Sequence, residues 1–129
     1  FKEFIDPIMA KYKIPSERIF ANTFTFAKNG KINGFDHEND LSKPDGKIDQ
    51  LKKMNLPGEI HMIGDGFSDY QTRAAGIADK FYAFTENVSR ENILERADHV
   101  APSLDEYLYK ENLPMSISYP KNRIKVLLL

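Results

Sequence analysis

The chain has 129 residues, of which 41% are hydrophobic and 29% charged, and its 18 basic and 19 acidic residues leave a net charge of -1. That length suits one domain of ordinary size, and the near-even charge balance argues against nucleic-acid or membrane-surface binding through a general field. No apolar run approaches the roughly 20 residues that cross a bilayer, and the lack of cysteine rules out disulfides, thiolate catalysis and Cys-ligated zinc. With no leader pattern to direct export, the cytoplasm is the expected compartment.

Phe1, Phe4, Ile5, Ile8, Met9 and Tyr12 fall on helical spacing and predict one buried stripe. Pro7 lacks a backbone N–H, so a break is expected there, with Asp6 capping a restart. Ile19 to Phe26 reads as a strand, Asn29-Gly30 as a turn and Lys31 to Asp36 as the returning strand of a hairpin. Residues 35–46 are polar and read as loop.

From Lys47 the pattern changes. A short helix to Met54, with Ile48, Leu51 and Met54 inward, precedes a strand from Glu59 ending at Gly64. A helix from Asp69 to Ala75 closes at Gly76, and Ala78 to Phe84 is a second strand. Ser89 caps a helix running to Arg96, and His99 to Ala101 is a third strand. Ser103 and Glu106 form a capping box that opens a last helix. Such alternation predicts an α/β fold, a Rossmann-like parallel sheet flanked by helices. Ligands bind off the carboxyl ends of the strands in such sheets.

Gly64-Asp65-Gly66-Phe67-Ser68-Asp69 lies at that edge. Glycine makes positive φ available for a sharp turn as the strand ends. Asp65 and Asp69, four residues apart, could then hold one hard cation directly or through water. Magnesium suits that chemistry, since it takes one or two carboxylates, several waters and substrate phosphate. Ser68 could steady a carboxylate or a bound water, and the next helix's N-terminus favours anions. The plain alternative is Asp65 as a turn residue and Asp69 as a helix cap.

A phosphate site also wants a cation to neutralise charge on the phosphoryl oxygens. Lys47, 18 residues before Asp65 and at a helix start, is the first candidate; Lys43 is the substitute. Other candidates are weaker. His37, Glu38 and Asp40 lack an EF-hand pattern and read as a solvated loop. His61 and His99 read as packed structural residues.

The stretch from Lys47 through Glu106 resembles the haloacid dehalogenase superfamily, in particular its phosphoserine phosphatase branch, on Lys47, the Gly64–Asp69 loop and the strand–helix pairs that follow. The resemblance implies a phosphatase in which Asp65 ligates Mg²⁺, Asp69 acts through water and loop geometry, and Lys47 contacts the phosphoryl group. The opening Phe1-Lys2-Glu3-Phe4-Ile5 looks like the helix after the family's second motif. Residues 119–129 look like a linker and the first strand of a D-3-phosphoglycerate dehydrogenase domain, which implies a fusion of two steps of serine biosynthesis.

The family's nucleophile motif, Asp-x-Asp-x-Thr, occurs nowhere in the chain, and the helical cap that sets specificity is missing as well. Both ends read as cut. The expectation is therefore a core lacking its first strand and cap: residues 1–111 a partial phosphatase domain, 112–123 a linker, 124–129 the start of another domain. The nucleophile would lie upstream, and the fragment alone would be inactive. The expected partner is a small phosphorylated metabolite, with self-association or a fused dehydrogenase as further possibilities. The rival readings are a related phosphatase or phosphotransferase with another small substrate, and a non-catalytic or regulatory module.

Overall fold

A computed structural model describes residues 1–114, and the part of the expected linker and following strand beyond them lies outside the described residues. The chain forms two compact units, one spanning Phe1–Gly46 and the other beginning at Lys47. No helix among the described residues is long and apolar enough to cross a membrane.

In the first unit, helix α1 (Lys2–Lys11) runs through Pro7 without the expected restart. A mid-helix proline leaves the carbonyl four residues back without its donor. Here that residue is Glu3, and both it and Pro7 are solvent-exposed, which leaves water to serve the carbonyl. Asp6, expected to cap a fresh start, instead accepts a hydrogen bond from Ser16 Oγ at 3.0 Å.

The apolar stripe of α1 is not buried as expected: Phe4 is 63% exposed and Tyr12 72%. Phe1 does stack on Phe24, with ring centroids 3.8 Å apart. So short a unit has too little chain to cover a whole helix face.

The hairpin forms, from β1 (Phe24–Phe26) and β2 (Ile32–Phe35), antiparallel with an irregularity between Thr25 and Phe26. Gly30, at φ 77°, supplies the left-handed residue of its turn. The first strand is shorter than expected: ahead of Phe24, the Asn22 carbonyl accepts from Lys2 N–H and its side chain from Thr23 N–H, in place of ladder bonds.

The second unit follows the expected alternation. Its elements are α2 (Gly46–Met54), β3 (His61–Gly64), α3 (Phe67–Ala74), β4 (Lys80–Phe84), α4 (Glu91–Leu94), β5 (His99–Ala101) and α5 (Leu104–Lys110). The three strands are parallel in the order β3-β4-β5. The central strand carries the core: Phe81, Tyr82 and Ala83 are all buried, joined by Leu51, Met62, Ile93 and Ala101. A strand covered on both faces reads as a continuous apolar run, as this one does.

Two helix starts differ from expectation. α3 begins at Phe67, with Gly66 as its N-cap, so Asp69 is the third helical residue. α4 begins at Glu91 and Ser89 does not cap it. The carbonyl of Arg90 takes the first helical bonds, from Ile93 N–H at 2.9 Å and Leu94 N–H at 3.0 Å. Ser103 does cap α5, accepting from Glu106 N–H at 3.1 Å.

At the amino ends of the strands a polar cluster fastens the chain after α5 to the sheet. Tyr82 OH donates to Glu111, Lys80 Nζ lies 3.0 Å from the same carboxylate, and His61 Nδ1 lies 3.1 Å from Tyr107 OH. Burial, followed by the Glu111 carboxylate, pushes the Tyr82 hydroxyl well above its ordinary value. His99 packs its ring on Tyr82.

Asp98 joins α3 to β4. Its Oδ2 accepts from Arg73 Nε and from Phe81 N–H, each at 2.8 Å. The Arg73 hydrogen bond holds this carboxyl below the usual carboxylate range. Its stabilising contribution is therefore present above the unfolded value of about 3.9 and lost as pH falls through the lower folded value. Asp98→Asn should lower the urea midpoint at pH 7 and remove part of the decline in acid, as measured by urea melts between pH 2 and 7. An unchanged acid limb would contradict this assignment.

Candidate active site at the tip of strand β3

The site starts from Asp69. Its side chain, on the first turn of α3, is only 7% exposed. A buried carboxylate is tolerated only when paired and hydrogen-bonded. Lys47 Nζ lies 2.5 Å from Oδ1, and Gly66 N–H donates to Oδ2 at 3.0 Å. Thr72 Oγ1 donates to the Asp69 carbonyl at 2.7 Å. Lys47 reaches this carboxylate from the first turn of α2.

Gly64 makes the room. A Cβ on it would sit 2.1 Å from Asp69 Cγ and 2.3 Å from Oδ2. The expectation that Gly64 and Gly66 supply positive φ is corrected by the backbone. The described glycines with positive φ are Gly30, Gly58 and Gly76, while Gly66 is extended at φ -121°. Gly64 is needed for close approach, and Gly66 for an N–H placed over Asp69.

Asp65 is held differently. Its side chain is 48% exposed, and Nη1 of Arg90 lies 2.5 Å from both its Oδ2 and its backbone carbonyl. The Arg90 hydrogen bond keeps this carboxyl below the usual range. The sequence pattern does not single out Arg90, whose neighbourhood reads as a helix start. The available signal was a basic residue in the loop after β4, the strand beside β3, on the edge where such sheets present ligands.

The other candidates fall in different places. Ser68 is the second residue of α3, half-buried, and its hydroxyl is taken by no other described residue. Lys43 lies in the first unit, 49% exposed and 3.9 Å from Asp40. Of the two lysines weighed for the phosphate, Lys47 is the one paired with Asp69.

No group of three or more His, Asp or Glu side chains converges as a metal cage among the described residues. A magnesium ion does not require one, since one or two carboxylates with waters and phosphate suffice. The donors present fit that pattern. Two oxygens of Asp65, one carboxylate and one carbonyl, already converge on a single cationic nitrogen. Each oxygen of Asp69 already has a partner, Lys47 Nζ on Oδ1 and the Gly66 N–H on Oδ2.

Gly64→Ala should therefore cost about 3 kcal/mol or more, because its Cβ meets a carboxylate fixed on both oxygens. Gly66→Ala, whose Cβ would first meet Asp69 Oδ2 at 3.4 Å, should cost distinctly less. Urea denaturation of both variants checks this, and equal losses would contradict the packing described.

No sequence profile of a known protein family matches the chain. Individual proteins do. It is 36% identical over 101 residues to a chloroplastic phosphoserine phosphatase of Arabidopsis thaliana, covering 76% of this chain and 34% of that protein. It is 34% identical to the phosphoserine phosphatase of Bos taurus, covering 76% of this chain and 44% of that one. The chain thus spans between a third and a half of these curated relatives. In structure it matches a phosphoserine phosphohydrolase-like protein from Francisella tularensis, with a TM-score of 0.72 and 31% identity, over 82% of this chain and 49% of that one. Over the matched part of its length, the chain is similar in sequence to phosphoserine phosphatases and in fold to a phosphoserine phosphohydrolase-like protein.

Proposed function

We propose that the chain carries the cation- and phosphate-handling half of a Mg²⁺-dependent phosphomonoester hydrolase acting on phosphoserine. One observation carries the reading. At the carboxyl end of β3, a lysine–carboxylate pair (Lys47 and Asp69) and a second acid with two convergent oxygens (Asp65) stand at the start of a helix. The names and similarity of the relatives support the substrate class.

In this reading Asp65 holds Mg²⁺, which would neutralise charge on the phosphoryl oxygens. Asp69 fixes Lys47 and the loop, Lys47 adds positive charge toward the phosphoryl group, and Ser68 orients a water or the phosphate. An aspartate outside this chain would attack phosphorus as the P–O bond to serine breaks, the leaving oxygen taking a proton from an acid or water beside it, and water would then hydrolyse the aspartyl-phosphate. The nucleophile's strand would pair with β3, which has one strand neighbour among the described residues. The small phosphorylated metabolite, the cytoplasmic setting and a dehydrogenase domain beyond residue 123 belong to the same proposal.

Expressed from its complete coding sequence, the protein should release phosphate from phosphoserine only when Mg²⁺ is supplied. Asp65→Asn should lower kcat at least ~100-fold, and Lys47→Ala by roughly 10²–10³. The 129-residue chain by itself should release none. Full turnover in Asp65→Asn would remove that residue from the mechanism, and turnover by the chain alone would favour a different nucleophile.

A further inference from the structure

Arg90 reaches back 25 residues to place one nitrogen against both the carboxylate and the carbonyl of Asp65. This goes beyond a surface ion pair in one respect: it brings two oxygens of one residue to a single positive point. A divalent cation bound by Asp65 would draw on the same carboxylate, and two cations crowded beside it repel each other. Arg90 is built to move. Its backbone is anchored, since its carbonyl accepts the first two hydrogen bonds of α4, while its side chain is 46% exposed. The guanidinium can swing into solvent without disturbing the helix start.

We infer that Arg90 is a displaceable counter-ion, holding Asp65 in place and setting the divalent cation concentration needed to replace it. The inference rests on Asp65 being a cation ligand. Arg90 then keeps the loop ordered at low cation concentration and lowers its affinity at the same time. Asp69 lacks this behaviour, because Lys47 pairs with it where both are largely buried.

The test is Mg²⁺ binding to the purified chain by calorimetry, with Mn²⁺ binding by electron paramagnetic resonance as a second readout. Arg90→Gln should bind Mg²⁺ roughly two- to fivefold more tightly, the range set by the modest strength of exposed ion pairs. Arg90→Lys, which keeps the charge on a shorter side chain with a compact, more strongly hydrated ammonium, should fall between the two. The gap should narrow in ~0.5 M salt, where exposed charges are screened. Binding by Arg90→Gln where the parent chain shows none would support the inference. Equal or weaker binding by a folded Arg90→Gln, or no binding by either chain, would overturn it. Asp65→Asn separates the two ideas: retained binding there defeats the ligand assignment, whereas lost binding there with an unchanged Arg90→Gln defeats only the role of Arg90.

Discussion

The arrangement of the second unit depends on keeping one negative charge out of water. Asp69 is placed where solvation cannot stabilise it, so its surroundings are constrained: Lys47 on one oxygen, the Gly66 amide on the other, and Gly64 without a side chain. Removing any of these leaves a buried charge uncompensated or a carboxylate without space. Lys47, 22 residues before Asp69, is thereby tied to the loop that follows β3. The α2 start, the β3 tip and the first turn of α3 are held in register by the Asp69 carboxylate.

Asp65 shows the opposite solution. It is half-exposed and paired with a side chain that is itself half-exposed. Two acids four residues apart thus have different duties, one fixed and one exchangeable. The assignment follows from solvation: a buried pair resists substitution by solvent or salt, and a surface pair does not.

Much of this was legible in the sequence. The alternation after Lys47, the apolar run of β4 and the Gly-Asp-Gly loop mark a parallel α/β sheet with a ligand edge, and the elements lie within a few residues of where patterning puts them. Three things were not legible, each for a physical reason. A glycine's purpose is ambiguous in sequence, because positive φ and close approach both call for glycine; only the position of Asp69 decides. Arg90 is one basic residue among many, and its meaning depends on β4 lying beside β3. The periodic face of α1 promises burial, but periodicity cannot say how much chain is available to cover it.

The polar cluster of His61, Lys80, Tyr82, Tyr107 and Glu111 has a wider consequence. It stands at the amino ends of the strands, whereas the candidate site stands at the carboxyl end of β3. Anchorage and the candidate site therefore occupy opposite poles of one sheet. Residues far apart with no shared partners contribute nearly independently to stability. The loop at the candidate-site pole can consequently diversify while the opposite pole holds the architecture constant, which makes this small sheet a tolerant substrate for evolutionary change.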